Sequence, residues 1–174
     1  DQNQNRVPLR REDQAVGHAV TGPYLWCGAA DVVAETGEAE LKMALERLWL
    51  DVATRKMYVT GAIGAYHHGV SVRHELPQRT AYNETCANIA NAMWNRRLLL
   101  LSGEAKHGDI VERVLYNSAL SPMSLDGRTF CYCNPLRRQH GVELLNHDTP
   151  KRLRTMKCYC CPPNVARTIA KSCW

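Results

Sequence analysis

Gly37 and the pair Ser102-Gly103 each separate two stretches whose apolar residues recur at helical spacing, and no other feature restricts the fold as strongly. Before Gly37, residues 12–35 carry Val16, Val20, Tyr24, Cys27 and Ala34, with Pro23 placed to kink or divide the run. After it, Leu41, Leu45, Leu48 and Val52 form one stripe, and Glu40, Lys42, Glu46 and Arg47 lie off it. The second pair has the same form. A helix over residues 83–101 presents Cys86, Ile89, Ala90, Met93 and Leu98, and another over residues 108–120 buries Ile110, Val111, Val114 and Leu115 before Pro122. Pro162-Pro163 opens a last helix, because proline is tolerated in a first turn. Repeated helical hairpins of this kind are the units of helical toroids and solenoids, which need several copies to close a core.

Two segments do not read as helices. Residues 53–82 contain Gly61, Gly64 and Gly69 with His67, His68 and His74, and a loop of that length is usually functional or disordered. Residues 136–157 are basic and irregular. Between them, Asp126-Gly127 marks a turn, and residues 129–133 read as a short strand closed by Asn134-Pro135.

With 174 residues, 45% of them hydrophobic and 22% charged, the chain can bury one real core and is not disordered. The balance of 22 Lys+Arg against 17 Asp+Glu leaves +5 without a block of like charges, so no nucleic-acid surface is indicated. No apolar run reaches membrane-spanning length, which rules out a transmembrane helix, and no membrane partner is expected. The first five residues are polar and do not read as a secretory signal, and the missing initiator Met suggests a start inside a larger protein.

Eight cysteines stand out: Cys27, Cys86, Cys131, Cys133, Cys158, Cys160, Cys161 and Cys173. The chain is long for a disulfide scaffold, and adjacent Cys160-Cys161 suits metal ligation or redox chemistry better than staples. The expected compartment is therefore the cytoplasm. Glu84-Thr85-Cys86 falls at the start of the third helix and Cys158-Tyr159-Cys160-Cys161 at the start of the last. Helix N-termini favour thiolates and carboxylates. If these starts converge, Glu84, Cys86, Cys160 and Cys161 supply one carboxylate and three sulfurs, a donor set for tetrahedral Zn²⁺. A rival set is Cys131 and Cys133 with Cys158 and Cys160; the bland alternative is that Cys86 is a small buried hydrophobe. His18 reads as a residue of the first helix, and Tyr132 and Asn134 as strand and turn residues able to hydrogen-bond a sugar.

Several strings occur in order: Ala15-Val16-Gly17-His18-Ala19, Thr60-Gly61-Ala62-Ile63-Gly64, Glu75-Leu76-Pro77, Ala81-Tyr82-Asn83-Glu84-Thr85-Cys86-Ala87, Met93-Trp94-Asn95, Tyr132-x-Asn134-Pro135-Leu136 and Cys160-Cys161-Pro162-Pro163-Asn164-Val165-Ala166-Arg167. Together they resemble the β-L-arabinofuranosidase family of glycoside hydrolases, family 127. The resemblance covers nearly the whole chain. It implies a mainly α fold, the latter part of a single (α/α)6-barrel catalytic domain, without the earlier barrel helices and the β-rich domains that follow in full-length members. It also implies release of terminal β-L-arabinofuranose from arabinofuranose-containing oligosaccharides or glycosides, with a cysteine nucleophile in place of the usual carboxylate. By position, Cys160 would be that nucleophile, Glu84, Cys86, Cys160 and Cys161 would hold Zn²⁺, and His18 and Tyr132 would bind substrate.

One departure matters. Members of the family carry a glutamate after the glycine of the loop before the Leu-Pro motif, acting as general acid and then base; here Gly69 is followed by Val70, and the loop is short. Glu75 is the substitute candidate. Loss of an acid-base group commonly removes about 10²–10⁴-fold of rate. A carboxylate restored at position 70 would be expected to raise hydrolysis. The competing readings are a non-catalytic carbohydrate-binding or zinc-structural remnant and a redox module built on the cysteines between 131 and 161.

Overall fold

The structure is a computed structural model that describes residues 3–67, 69–70, 72–137, 151–154 and 158–171. His68, Cys173 and most of the basic segment 136–157 lie outside the described residues. The described chain is mainly α and forms part of an (α/α)6 barrel: α1 (Thr21–Thr36), α2 (Ala39–Asp51), α3 (Thr85–Ser102), α4 (Ala105–Val114) and α5 (Cys161–Ala170). No helix among these residues is long and apolar enough to cross a membrane.

The helix stops act as their residue types require. Gly37 and Gly103 both adopt φ +69°, the left-handed conformation that closes a helix, and each donates its N–H to the carbonyl four residues back. Leu41, Leu45, Leu48 and Val52 are buried along the stripe of α2. Helix α1 starts later than the periodicity suggests. Pro23 falls in its first turn, where a missing N–H costs nothing, and residues 12–20 run into it as irregular chain and a two-residue strand, β1 (Gly17–His18). That strand pairs antiparallel with β2 (Gly69–Val70), with His18 opposite Gly69 and Gly17 opposite Val70. The strand expected over residues 129–133 is reduced to bridges from Phe130 to Met123 and Leu153.

Helix α3 is the axis of the assembly. It packs against α1, α4 and α5, and Trp94 at its centre meets Trp26 of α1 with ring centroids 4.6 Å apart. Being covered on several sides, it is buried at almost every position of its first half, polar residues included. Those polar residues order the glycine-rich loop. Asn88 Oδ1 accepts from the Ile63 N–H (3.2 Å), Asn91 Nδ2 donates to the Gly61 carbonyl (3.0 Å), and Asn95 Oδ1 accepts from Trp49 Nε1 (2.7 Å). Gly61, at φ +79°, lies where a Cβ would sit 2.7 Å from Val114 Cγ2. Residues 61–65 of this segment are thus buried and held against α3, whereas residues 72–75 and 78–80 are exposed.

Helices α2 and α4 each run on into a wider π turn, Val52–Lys56 and Leu115–Ala119. A π turn brings residues five apart onto one face. After α2 it sets Lys56 against Asp51, with Nζ 2.6 Å from Oδ2 and both side chains almost wholly buried. The pair grips the chain on its way to β1: Lys56 Nζ donates to the Ala15 carbonyl (2.9 Å), and the Ala15 N–H donates to Asp51 Oδ2 (2.8 Å).

Candidate active site and metal centre

Two helix starts meet. Glu84 is the N-cap residue of α3 and Cys86 lies in that helix's first turn; Cys160 is the N-cap residue of α5 and Cys161 its first residue, ahead of Pro162-Pro163. The extended segment after Phe130 is stitched to the start of α3. The Thr85 N–H donates to the Tyr132 carbonyl (3.0 Å), Thr85 Oγ1 donates to the Cys131 carbonyl (2.9 Å), and Asn134 Nδ2 donates to Thr85 Oγ1 and the Asn83 carbonyl (3.0 Å each). Tyr82, Cys86, Tyr132, Cys133 and Cys161 then form one small buried cluster.

The ligand atoms of Glu84, Cys86, Cys160 and Cys161 all lie within 4.8 Å of one another, the one such group of three or more among the described residues. The sulfurs of Cys86 and Cys161 are 3.5 Å apart, those of Cys160 and Cys161 3.7 Å, and Cys160 Sγ donates to Glu84 Oε1 at 3.5 Å. Four ligands about 2.3 Å from a common centre stand about 3.8 Å apart along the edges of a tetrahedron. The spacing and the sulfur-rich donor set therefore fit a tetrahedral ion such as zinc. Asn164 Nδ2 donates to Cys86 Sγ (2.9 Å) from the next turn of α5. The rival set does not assemble. Cys133 packs with Tyr82 and Tyr132, and Cys131 borders a separate cavity with Ala62, Asn134 and Arg152, because the stitching to α3 holds this segment's direction.

The electrostatics suit a shared negative charge. Hydrogen bonds from Cys160 and Cys161, with the Asn164 amide, hold the Cys86 thiol down at about 5, while the same sulfurs push Cys161 up. Burial, and then the Cys160 sulfur, raise the Glu84 carboxyl to about 7; a hydrogen bond with Tyr132 works against that rise. Burial likewise raises the Tyr132 phenol.

The other candidates sit as follows. His18 lies on β1, not in α1, and its Nδ1 accepts from the backbone N–H of Val20 (3.0 Å) and Thr21 (3.4 Å), which leaves its proton on Nε2. Burial lowers its pKa, and the nearby Cys160 sulfur opposes that. Val70 and His18 take opposite faces of the two-stranded ladder, since register pairs Val70 with Gly17. The Val70 side chain packs in the main core with Ala15, Ala19 and Trp26, so a carboxylate there would enter the core. Glu75 is outside the four-residue group; it is exposed, accepts a hydrogen bond from the Tyr66 hydroxyl (2.6 Å) and lies 3.8 Å from Arg73. Sequence reasoning passed over Asp51, Lys56, Asn164 and the asparagines of α3. The signals that marked any of them were the recurrence of Asn88, Asn91 and Asn95 at helical spacing and the presence of Asn95 and Asn164 in the strings that carry the resemblance.

The profile of the family described as "Beta-L-arabinofuranosidase, GH127 catalytic domain" matches residues 1–173. A non-reducing end beta-L-arabinofuranosidase of Bifidobacterium longum subsp. longum is 38% identical over 168 residues, covering 94% of this chain and 26% of that protein. Among solved structures, a GH127 beta-L-arabinofuranosidase from Geobacillus stearothermophilus T6 superposes with a TM-score of 0.91 at 42% identity, over 96% of this chain and 27% of that one. A second GH127 beta-arabinofuranosidase gives 0.88 at 42% identity, over 95% and 25%. The chain thus spans about a quarter of the length of these relatives.

Proposed function

The chain belongs to the GH127 β-L-arabinofuranosidase catalytic-domain family, and from that premise we propose that it is the nucleophile-bearing latter part of a single (α/α)6-barrel domain of a retaining glycoside hydrolase. The substrate class is an arabinofuranose-containing oligosaccharide or glycoside, cleaved at its terminal β-L-arabinofuranose. The observation that carries the reading is the meeting of one carboxylate and three sulfurs at two helix starts, in a chain of this family. Glu84, Cys86, Cys160 and Cys161 would hold Zn²⁺. When bound, zinc would keep the Cys160 sulfur deprotonated at neutral pH and oriented for attack.

Cys160 Sγ then attacks the anomeric carbon and displaces the leaving-group oxygen, giving a glycosyl thioether; water displaces the sulfur in a second inversion, so configuration is retained. Cys160 is the half-exposed member of the four, which leaves its sulfur reachable by a sugar. His18 Nε2–H and the Tyr132 hydroxyl supply hydrogen bonds to the bound arabinose. Protonation of the leaving oxygen is the weak step, with Val70 where the family carries its glutamate and Glu75 as the remaining candidate. We therefore expect good leaving groups to be favoured strongly over poor ones. The second reading, a carbohydrate-binding or zinc-structural remnant, is favoured by Val70 alone. The cytoplasm is the proposed compartment, because thiols used as metal ligands and nucleophile need reducing surroundings.

The test is hydrolysis of a nitrophenyl β-L-arabinofuranoside by a zinc-loaded complete protein that contains this segment. Cys160→Ala is expected to abolish it and Cys173→Ala to leave it unchanged. Equal losses from both would make the cysteines structural and overturn the reading, and the first result with an unaltered zinc stoichiometry would separate nucleophile from ligand.

A further inference from the structure

A fifth sulfur stands beside the four. Cys158 Sγ lies 3.7 Å from Cys160 Sγ, as close as Cys160 is to Cys161, yet Cys158 is outside the group that could share an ion. It is also exposed, whereas Cys86 and Cys161 are almost completely shielded, at 1% and 0% exposure. Cys160 is intermediate. A dissolved oxidant therefore meets Cys158 and Cys160 before any other sulfur of the cluster. Cys158 precedes α5, and Cys160 is its N-cap, tied to the helix by the Asn164 N–H donating to its carbonyl (3.3 Å), so the rotation needed falls mainly on Cys158 and on the side chains. Closing the gap to a sulfur–sulfur bond needs about 1.7 Å of approach, within reach of side-chain rotation at an exposed cysteine.

We propose that Cys158 and Cys160 form a dithiol oxidation site, in which a hydroperoxide converts the pair to a disulfide. In the first step the Cys160 sulfur forms a bond to the terminal peroxide oxygen as the O–O bond breaks. The thiol becomes a sulfenic acid and the peroxide leaves as an alcohol, or as water when the oxidant is hydrogen peroxide. In the second step the Cys158 sulfur attacks the Cys160 sulfur, the S–S bond forms, and the hydroxyl departs with the Cys158 proton as water. The two sulfurs together lose two electrons and the peroxide gains them. Closing Cys160 onto Cys161 instead would strain the single peptide between adjacent residues and would need a fully buried sulfur. Cys158 would thus act as a resolving cysteine that stops Cys160 from passing on to irreversible sulfinic acid, and a small thiol reverses the disulfide. Formation of the bond needs nothing from the proposed function; only its consequence, loss of the nucleophile and of one metal ligand, rests on that reading.

Trypsin cuts after Lys157 and Arg167, so Cys158, Cys160 and Cys161 leave in one peptide. The chain is treated with one equivalent of hydrogen peroxide, alkylated, digested and weighed, and zinc binding is titrated in parallel before and after treatment. The expected peptide carries a single alkyl group, on Cys161, and is lighter than the fully alkylated reduced peptide by two alkyl groups, with fragmentation placing the bridge between Cys158 and Cys160, and dithiothreitol restores the dithiol. Cys158→Ser should bind zinc as the parent does but accumulate sulfinic acid on Cys160. The same disulfide yield in Cys158→Ser, a bridge to Cys161 or Cys86, or an alkylated Cys158 in the oxidised parent would each overturn the proposal. Failure of the untreated parent to bind zinc would instead refute the metal centre while leaving the oxidation measurement intact.

Discussion

Replacing Lys56 by methionine should unfold this chain more readily than any other single charge removal from its described surface or core. Lys56 and Asp51 have side-chain exposures of only 2% and 4%, and their 2.6 Å contact is reinforced by the two bonds to Ala15. Methionine matches the stem of lysine in length, so packing is largely kept. What goes is the ammonium, leaving the Asp51 carboxylate buried with the Ala15 N–H and two longer approaches, Arg55 at 3.8 Å and His74 at 3.7 Å. Removing one partner of a buried pair costs about 3–5 kcal/mol. For a chain of this size each kcal/mol lowers the melting temperature by about 2–4 °C, so a drop of about 6–20 °C is expected. The companion Asp51→Leu/Lys56→Met should recover most of that loss, because two apolar groups leave no orphaned charge. Urea denaturation of the three proteins at one pH measures it. A loss below about 1 kcal/mol in Lys56→Met, or a double variant no more stable than the single, would show the pair to be solvated and refute the reasoning.

Three further outcomes can be checked in the same way. In the metal-free chain, Glu84 has its pKa raised from 4.5 to about 7, so the native state holds a proton that the unfolded state has released; stability from this residue is full below 4.5 and falls as pH rises to 7, by up to about 3 kcal/mol. Cys86, held at about 5 against 9, adds a slope of opposite sign between those values, so the comparison is with Glu84→Gln, whose denaturation midpoint should lose the downward component. Val70→Glu should destabilise the fold by several kcal/mol and leave hydrolysis of a poor leaving group unimproved, since its side chain enters the core beside Trp26; higher activity in a stably folded variant would show that position 70 faces the site. Gly61→Ala should cost about 1–3 kcal/mol, from a left-handed backbone and a Cβ 2.7 Å from Val114; Val114→Ala in the same chain should relieve the steric part, and an unchanged melting curve for Gly61→Ala would contradict the loop geometry.

Much of this protein was legible along the chain because it depends on neighbours in sequence. Gly37 and Gly103 end helices through their own φ, Leu41, Leu45, Leu48 and Val52 share a face because an α-helix repeats every 3.6 residues, and Pro162-Pro163 can only sit at a helix start. The strings around Cys86 and Cys160 carried the family in the same local way. What distance along the chain hides was decided by the tertiary structure. The pairing of Gly17–His18 with Gly69–Val70 joins segments too short to show a strand period, and it alone settles that His18 and Val70 face opposite ways. The two π turns leave no periodicity of their own, yet one of them makes a buried ion pair from Asp51 and Lys56. Cys131, Cys133 and Cys158 offer a rival ligand set on spacing, weaker only because Cys-x-Cys is less usual for structural zinc. Which sulfurs meet depends on how α5 packs on α3, and that contact is made by burying side chains far apart in sequence, whose free energy no local pattern encodes.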